Sequence, residues 1–162
     1  MSSGPSELIM LSAGLIVAAL VSGVLLTTWD DMSEILDDRG KQDAEDVRTR
    51  VSLVSDPLNI NWESSDYVHV HLQNSGDTFL DVDSVGVVIS GVFMSVEAVN
   101  GETEWIPGQV VKFKISDDAS DTLNGILVSG GNDVQFSATV SSTTSSYTGT
   151  DITREVIRIV KP

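Results

Sequence analysis

The stretch LIMLSAGLIVAALVSGVLLTTW, residues 8–29, carries no charged side chain, and Glu7 and Asp30 close it on either side. As a helix rising about 1.5 Å per residue it would be about 33 Å long, against a hydrocarbon core about 30 Å thick. No polar face divides it, so a helix buried in a soluble core is a poor reading. A cleaved secretory signal would carry a basic leader, and Met1–Glu7 has neither Lys nor Arg. The stretch therefore reads as a retained membrane anchor. Trp29 is placed as an aromatic at the membrane interface. Neither flank gives a strong positive-inside signal. The acidic mass that follows favours an N-terminus in the cytoplasm, one pass through the cytoplasmic membrane, and an extracytoplasmic remainder.

Small residues mark one side of this helix. Gly14, Ala18 and Ser22 recur every four residues, as do Ala19 and Gly23. Such a ladder lets a second helix approach closely, which is how helices associate in lipid. Self-association or pairing with a partner helix is the expected use of this face.

Composition narrows the function classes. The chain has 162 residues, 41% of them hydrophobic, with 24 acids against 9 bases and a net charge of −15. So acidic a surface repels phosphate backbones, which argues against nucleic-acid binding. The absence of cysteine removes disulfides, thiolate metal sites and cysteine nucleophiles.

Beyond the anchor, Met32, Ile35 and Leu36 keep helical spacing among carboxylates, and Arg39-Gly40 reads as a helix end or hinge. This gives a stalk or linker over residues 30–46. From Val47 the hydrophobic period changes to two. Val47–Leu53, Tyr67–Gln73, Phe79–Ser90, Val92–Val99, Val110–Ile115, Val134–Val140 and Val156–Val160 read as strands. Asp56-Pro57, Asn74–Asp77, Ser90-Gly91, Asn100-Gly101 and Ile106–Gly108 read as turns. A helical turn is expected within 117–125, and residues 141–150 read as an exposed Ser/Thr loop. The expected architecture is mainly β: an N-terminal transmembrane α-helix with its short tail (1–29), the stalk (30–46), and an immunoglobulin-like antiparallel β-sandwich over 47–162. Such a sandwich has edge strands open to another chain.

Few residues suggest chemistry. His69 and His71 share a strand face at a spacing two metal ligands can use, but a closed site needs more ligands. They read as outward polar residues. Asp81/Asp83 and Asp117/Asp118/Asp121 offer oxygen ligands but lack a calcium-loop spacing, and read as solvated surface. No GxSxG, HExxH, phosphate loop or dinucleotide fingerprint occurs. The expectation is a protein that is not an enzyme, without cofactor or bound metal.

Several short motifs carry a family resemblance. Ser6–Leu11, the run Leu15–Gly23, the stalk ending Asp37-Asp38-Arg39-Gly40, Val54–Pro57, Tyr67–Gly76 and Glu104–Gly108 resemble the FlaG/FlaF accessory proteins of the archaeal flagellum, or archaellum. The likeness runs to about residue 116. It implies a stator that anchors the motor to membrane and envelope through a FlaF-like membrane-anchored sandwich protein, with the surface layer contacted indirectly. An alternative is a type IV pilin-like or archaellin-like filament subunit assembled through its N-terminal helix. Glu7 resembles the acidic residue near a pilin N-terminus, where it would make a contact between subunits. Such subunits are normally made with a basic leader that is cleaved.

Overall fold

The computed structural model describes residues 4–63, 66–117, 122–143 and 146–162. It divides into two compact units, one reaching Lys41 and the other Gln42–Pro162. Helix α1 (Gly4–Arg48) contributes the whole of the first and the opening turns of the second.

The helix passes through Gly40 instead of stopping there. Asp37 and Lys41 pair across one turn at 2.6 Å, and Gln42 bonds Asp46 at 3.3 Å. These side-chain pairs at i,i+4 and the helix formers around Gly40 outweigh one glycine's penalty of about 1 kcal/mol. Val47 and Arg48 accordingly end the helix; they do not begin a strand. Asp46 accepts the Thr150 amide at 2.9 Å and Gln42 donates to the Thr148 carbonyl at 2.7 Å, so the last turns of α1 are held by the β unit.

Eight strands follow: β1 (Val51–Leu53), β2 (Ile60–Glu63), β3 (Tyr67–Asn74), β4 (Gly86–Ile89), β5 (Val92–Ala98), β6 (Val110–Ser116), β7 (Gly130–Ser141) and β8 (Thr150–Lys161). They form one sheet in the order β1-β3-β2-β8-β7-β4-β5-β6, and β6 returns to pair with β3. The expected pair of separate sheets is thus corrected to a closed, barrel-like sheet. Two strands turn the corners. β2 pairs with β3 through Trp62 and Glu63 and with β8 through Ile60 and Asn61. β5 pairs with β4 through Val92–Met94 and with β6 through Ser95–Ala98. Splitting one strand between two neighbours is how a sheet bends back on itself, and closure removes the open edges expected of a sandwich. β1 lies beside β2 on the same edge of β3, and the Val51 amide is taken up by the Asp151 carboxylate at 2.9 Å.

β2 had no counterpart among the expected strands. Its buried and exposed residues alternate strictly, Ile60 and Trp62 inside, Asn61 and Glu63 outside. Conversely, residues 79–85 are largely not strand. Leu80 makes single bridges to Trp105 and Ser142, and Val82–Ser84 is a 3-10 turn capped by Asp81, whose carboxylate accepts the Asp83 amide. Ser90 and Gly91 do form the β4–β5 turn, both at positive φ (49° and 84°), the geometry that matches strand twist in two-residue hairpins.

Period-two patterning fills the barrel. Val68, Val70 and Leu72 of β3 face Ile115, Phe113 and Val111 of β6 in direct register, all essentially inaccessible. Phe136, Ala138, Val140, Ile157 and Ile159 supply the other wall. Trp105 is fully buried, packs against Phe113 with ring centres 5.3 Å apart and planes tilted by 54°, and donates its indole N–H to the Gln109 carbonyl at 2.9 Å. Each such side chain contributes about 1.5–3 kcal/mol of transfer free energy.

Asn74 is the polar node of this core. Its amide nitrogen donates to the Thr78 and Trp105 carbonyls at 2.7 and 3.0 Å, and its oxygen accepts the Gly76 amide at 3.1 Å. Helix α2 (Thr122–Ile126) is capped by Asp117, whose Oδ2 accepts from Leu123 and Asn124 at 2.7 and 3.0 Å. The loop read as exposed over 141–150 is partly inside: Ser142 and Gly149 are buried. A Cβ on Gly149 would overlap the Thr49 hydroxyl and the Glu45 carbonyl.

Candidate assembly surfaces

The first unit is all surface. No residue of α1 as far as Lys41 is buried, and α1 is the one helix among the described residues long and apolar enough to cross a membrane, an 18-residue stretch of it having mean hydropathy 2.5. Three of its hydroxyls are turned onto their own backbone. Ser12 bonds the Ile9 carbonyl at 2.9 Å, Thr27 the Val24 carbonyl at 2.9 Å, and Thr28 the Val24 carbonyl at 2.8 Å. Satisfying hydroxyls within the helix is what a water-free environment demands.

Gly14, Ala18, Ala19, Ser22 and Gly23 are all exposed on this helix, and a Cβ on either glycine would meet nothing. Val17, Leu20, Val21 and Val24, at i, i+3, i+4 and i+7, form a bulky stripe on another side. The helix thus has a shallow face and a knobbed face, the pairing that lets one helix seat on the next. Glu7 lies in the first turn, where its charge complements the helix dipole. Trp29 is exposed at the far end of the apolar run.

On the barrel, His69 and His71 stand outward on β3 opposite Lys114 and Lys112 of β6. With Ser55, Asp56, Asn59, Asn61 and Glu63 they line a polar cleft of about 260 Å³. Among the described residues no group of three or more His, Cys, Asp or Glu is placed to hold a metal. The Ser55 hydroxyl occupies His71 instead, accepting its amide at 2.8 Å and lying 3.4 Å from Nδ1. Asp81 and Asp117 serve as caps for the turns described above, while Asp118 and Asp121 lie outside the described residues.

Partial burial, and next Lys112, hold His69 below its ordinary value, against the pull of Glu63. His71 and Lys114 add to the lowering, and Tyr67 packs edge-on at 5.0 Å. The folded state therefore binds fewer protons here than the unfolded chain. Stability is lost as pH falls through about 6.5 toward the lowered folded value. The fall in melting temperature between about pH 7.5 and pH 5 should be smaller in His69→Gln than in the parent, measured by circular dichroism. Equal falls in both would show that His69 titrates as it does in the unfolded chain.

One surface was not singled out by reading strands one at a time. β5, β4, β7 and β8 present a continuous outward face. In register, Phe93, Val88, Ser137 and Arg154 form one row across it, with Gly86, Thr139 and Ile152 on one side and Gln135 and Val156 on the other. Phe93 is 81% exposed and Val156 68%. The signal lay in the alternation itself, since Phe93 and Val156 occupy the outward phase of their strands.

The sequence profile of the archaeal-type flagellins matches residues 2–158, spanning both the apolar helix and the barrel. The chain belongs to the archaeal-type flagellins. A search of curated proteins returns no match. The family assignment overturns the resemblance to FlaG/FlaF accessory proteins, and the stator role and FlaF-like partner fall with it. The reason is physical. One apolar helix, an acidic stalk and a small β domain form a plan that both kinds of protein use, and short apolar motifs do not separate them. The flagellin profile takes in residues beyond 116, which the FlaG/FlaF resemblance left unmatched.

Proposed function

We propose that this archaeal-type flagellin is a structural, non-enzymatic subunit of the archaellum filament. The observation that supports the reading most directly is the profile match across helix and barrel together. An apolar helix with no buried residue needs a covering, which lipid supplies before assembly and neighbouring helices supply afterwards. In this reading the helix holds the chain in the cytoplasmic membrane, N-terminus inside, until it joins the filament, while the barrel lies outside the cell. Trp29 sits at the interface, Glu7 contacts a neighbouring subunit near its N-terminus, and Gly14, Ala18, Ala19, Ser22 and Gly23 form the seat for the adjacent helix.

Shearing cells and separating filaments from membranes tests the assignment. The chain is expected in the filament fraction, with mass spectrometry of its first peptide giving a start close to the apolar run. Confinement to the membrane fraction would refute it. Leucine at both Gly14 and Ala18 fills the shallow face and blocks close approach of a second helix, and the yield of filaments should fall by about tenfold or more, the effect of losing about 1.4 kcal/mol of association free energy. Unchanged yield would remove this face from the packing.

A further inference from the structure

We propose that the outward face of β5-β4-β7-β8 is a docking surface for the acidic surface of a second copy of this chain, in a head-to-tail contact; this rests on the filament-subunit reading. Two chains of charge −15 repel each other, and come together most readily where one presents no uncompensated carboxylate. This face meets that condition. Among the described outward residues of β4, β7, β8 and the part of β5 paired with β4 (Val92–Met94), the carboxylate is Asp133, and Arg158 takes it up in a two-pronged ion pair at 2.7 and 2.8 Å; Glu97, further along β5 beyond this patch, lies in register with Lys114 of β6. Arg154 stands exposed in the middle row with no ion pair among the described residues. Around it lie Phe93, Val88, Ile152 and Val156, an apolar set interleaved with short polar side chains. Aromatic and arginine anchors in a patch poor in carboxylates are the composition of an interface centre.

The charge pattern also chooses the geometry. If the face met its own twin about a two-fold axis, two Arg154 side chains would converge and the acid excess would remain unmatched. Set against the carboxylate-rich remainder of another copy, which holds most of the 24 acids, Arg154 finds opposite charge. Such contacts between unlike surfaces continue into an open helical array unless the rotation closes a ring.

Photocrosslinking in assembled filaments tests this, with Phe93→p-benzoylphenylalanine in the full chain. Irradiation should yield covalent pairs of this chain, joining residue 93 to a carboxylate-bearing peptide outside 86–93 and 133–158. Filaments of Phe93→Ser/Val156→Ser, whose changes point outward and leave the core intact, should dissociate roughly tenfold faster or more, the scale of losing an interface anchor. A crosslink from face to same face, a crosslink to a different protein, or none in intact filaments overturns the proposal while leaving the filament reading in place. If the parent chain is missing from filaments, it is the filament reading that fails. The same irradiation of membranes then decides the docking face separately: an unlike-surface pair of copies supports it, and any other product overturns it.

Discussion

Asn74→Asp is expected to abolish the cooperative fold of the barrel. The amide nitrogen of Asn74 donates to two buried carbonyls, those of Thr78 and Trp105, and an aspartate would turn an acceptor oxygen toward both. Orphaning the Thr78 carbonyl costs about 1–3 kcal/mol, and the Trp105 carbonyl, which keeps the Leu80 amide at 3.0 Å, would face a repelling oxygen. The new carboxylate would also sit at a fully inaccessible position with no cation among its hydrogen-bond partners. Against a total stability of about 5–15 kcal/mol, this leaves little or nothing. Asn74→Ala removes the same bonds without adding charge and should fall between the parent and Asn74→Asp. Urea unfolding followed by tryptophan fluorescence measures it, since Trp105 is itself one of the partners. An Asn74→Asp midpoint equal to the parent's would show that the node does not hold the core.

Leu20→Asp is expected to eliminate filaments while leaving the barrel folded. Leu20 lies near the centre of the apolar run, on the bulky stripe with Val17, Val21 and Val24. A carboxylate at mid-membrane depth costs about 3 kcal/mol in insertion, which is more than a hundredfold in partition. The cost recurs after assembly if the helix is packed among others, because no nearby base is on hand: the first is Arg39. Electron microscopy of sheared material and membrane flotation give the two readouts. Normal filaments would mean that this position faces water in the assembled state.

The apolar helix could be read from residues 8–29 alone, because length, charge exclusion and the missing polar face are local properties. So could most strands, since burial in a barrel follows period two. Closure could not be read. It depends on Trp62 and Ile60 choosing different neighbours, and β2 is short, preceded by Pro57 and Asn59 and itself carrying Asn61, so that it looks like loop. Gly40 misled in the opposite direction, because the Asp37–Lys41 pair and the anchoring of Asp46 carry the helix past it. Strand alternation alone places His69 and His71 outward, and β3 sets them opposite Lys114 and Lys112. The docking face needed register. Phe93, Val88, Ser137 and Arg154 belong to four strands far apart in sequence, and only pairing places them in one row. Family membership, too, lay beyond motif reading, because short apolar motifs do not tell one plan of apolar helix and β domain from another.

The parallel contact between β2 and β8 has a consequence for how the chain matures. Ile60 pairs with Ile159, and the Val51 amide waits for Asp151, 100 residues further on. Pairings of that span are slow to find, and they are unavailable until β8 has been made and delivered. A nascent chain would therefore emerge as an unsealed ribbon tethered by a finished helix. Sealing the ring then works as a check of completeness: a chain interrupted before residue 150 cannot pass it, and is left with Ile60 lacking its partner strand for proteases to find.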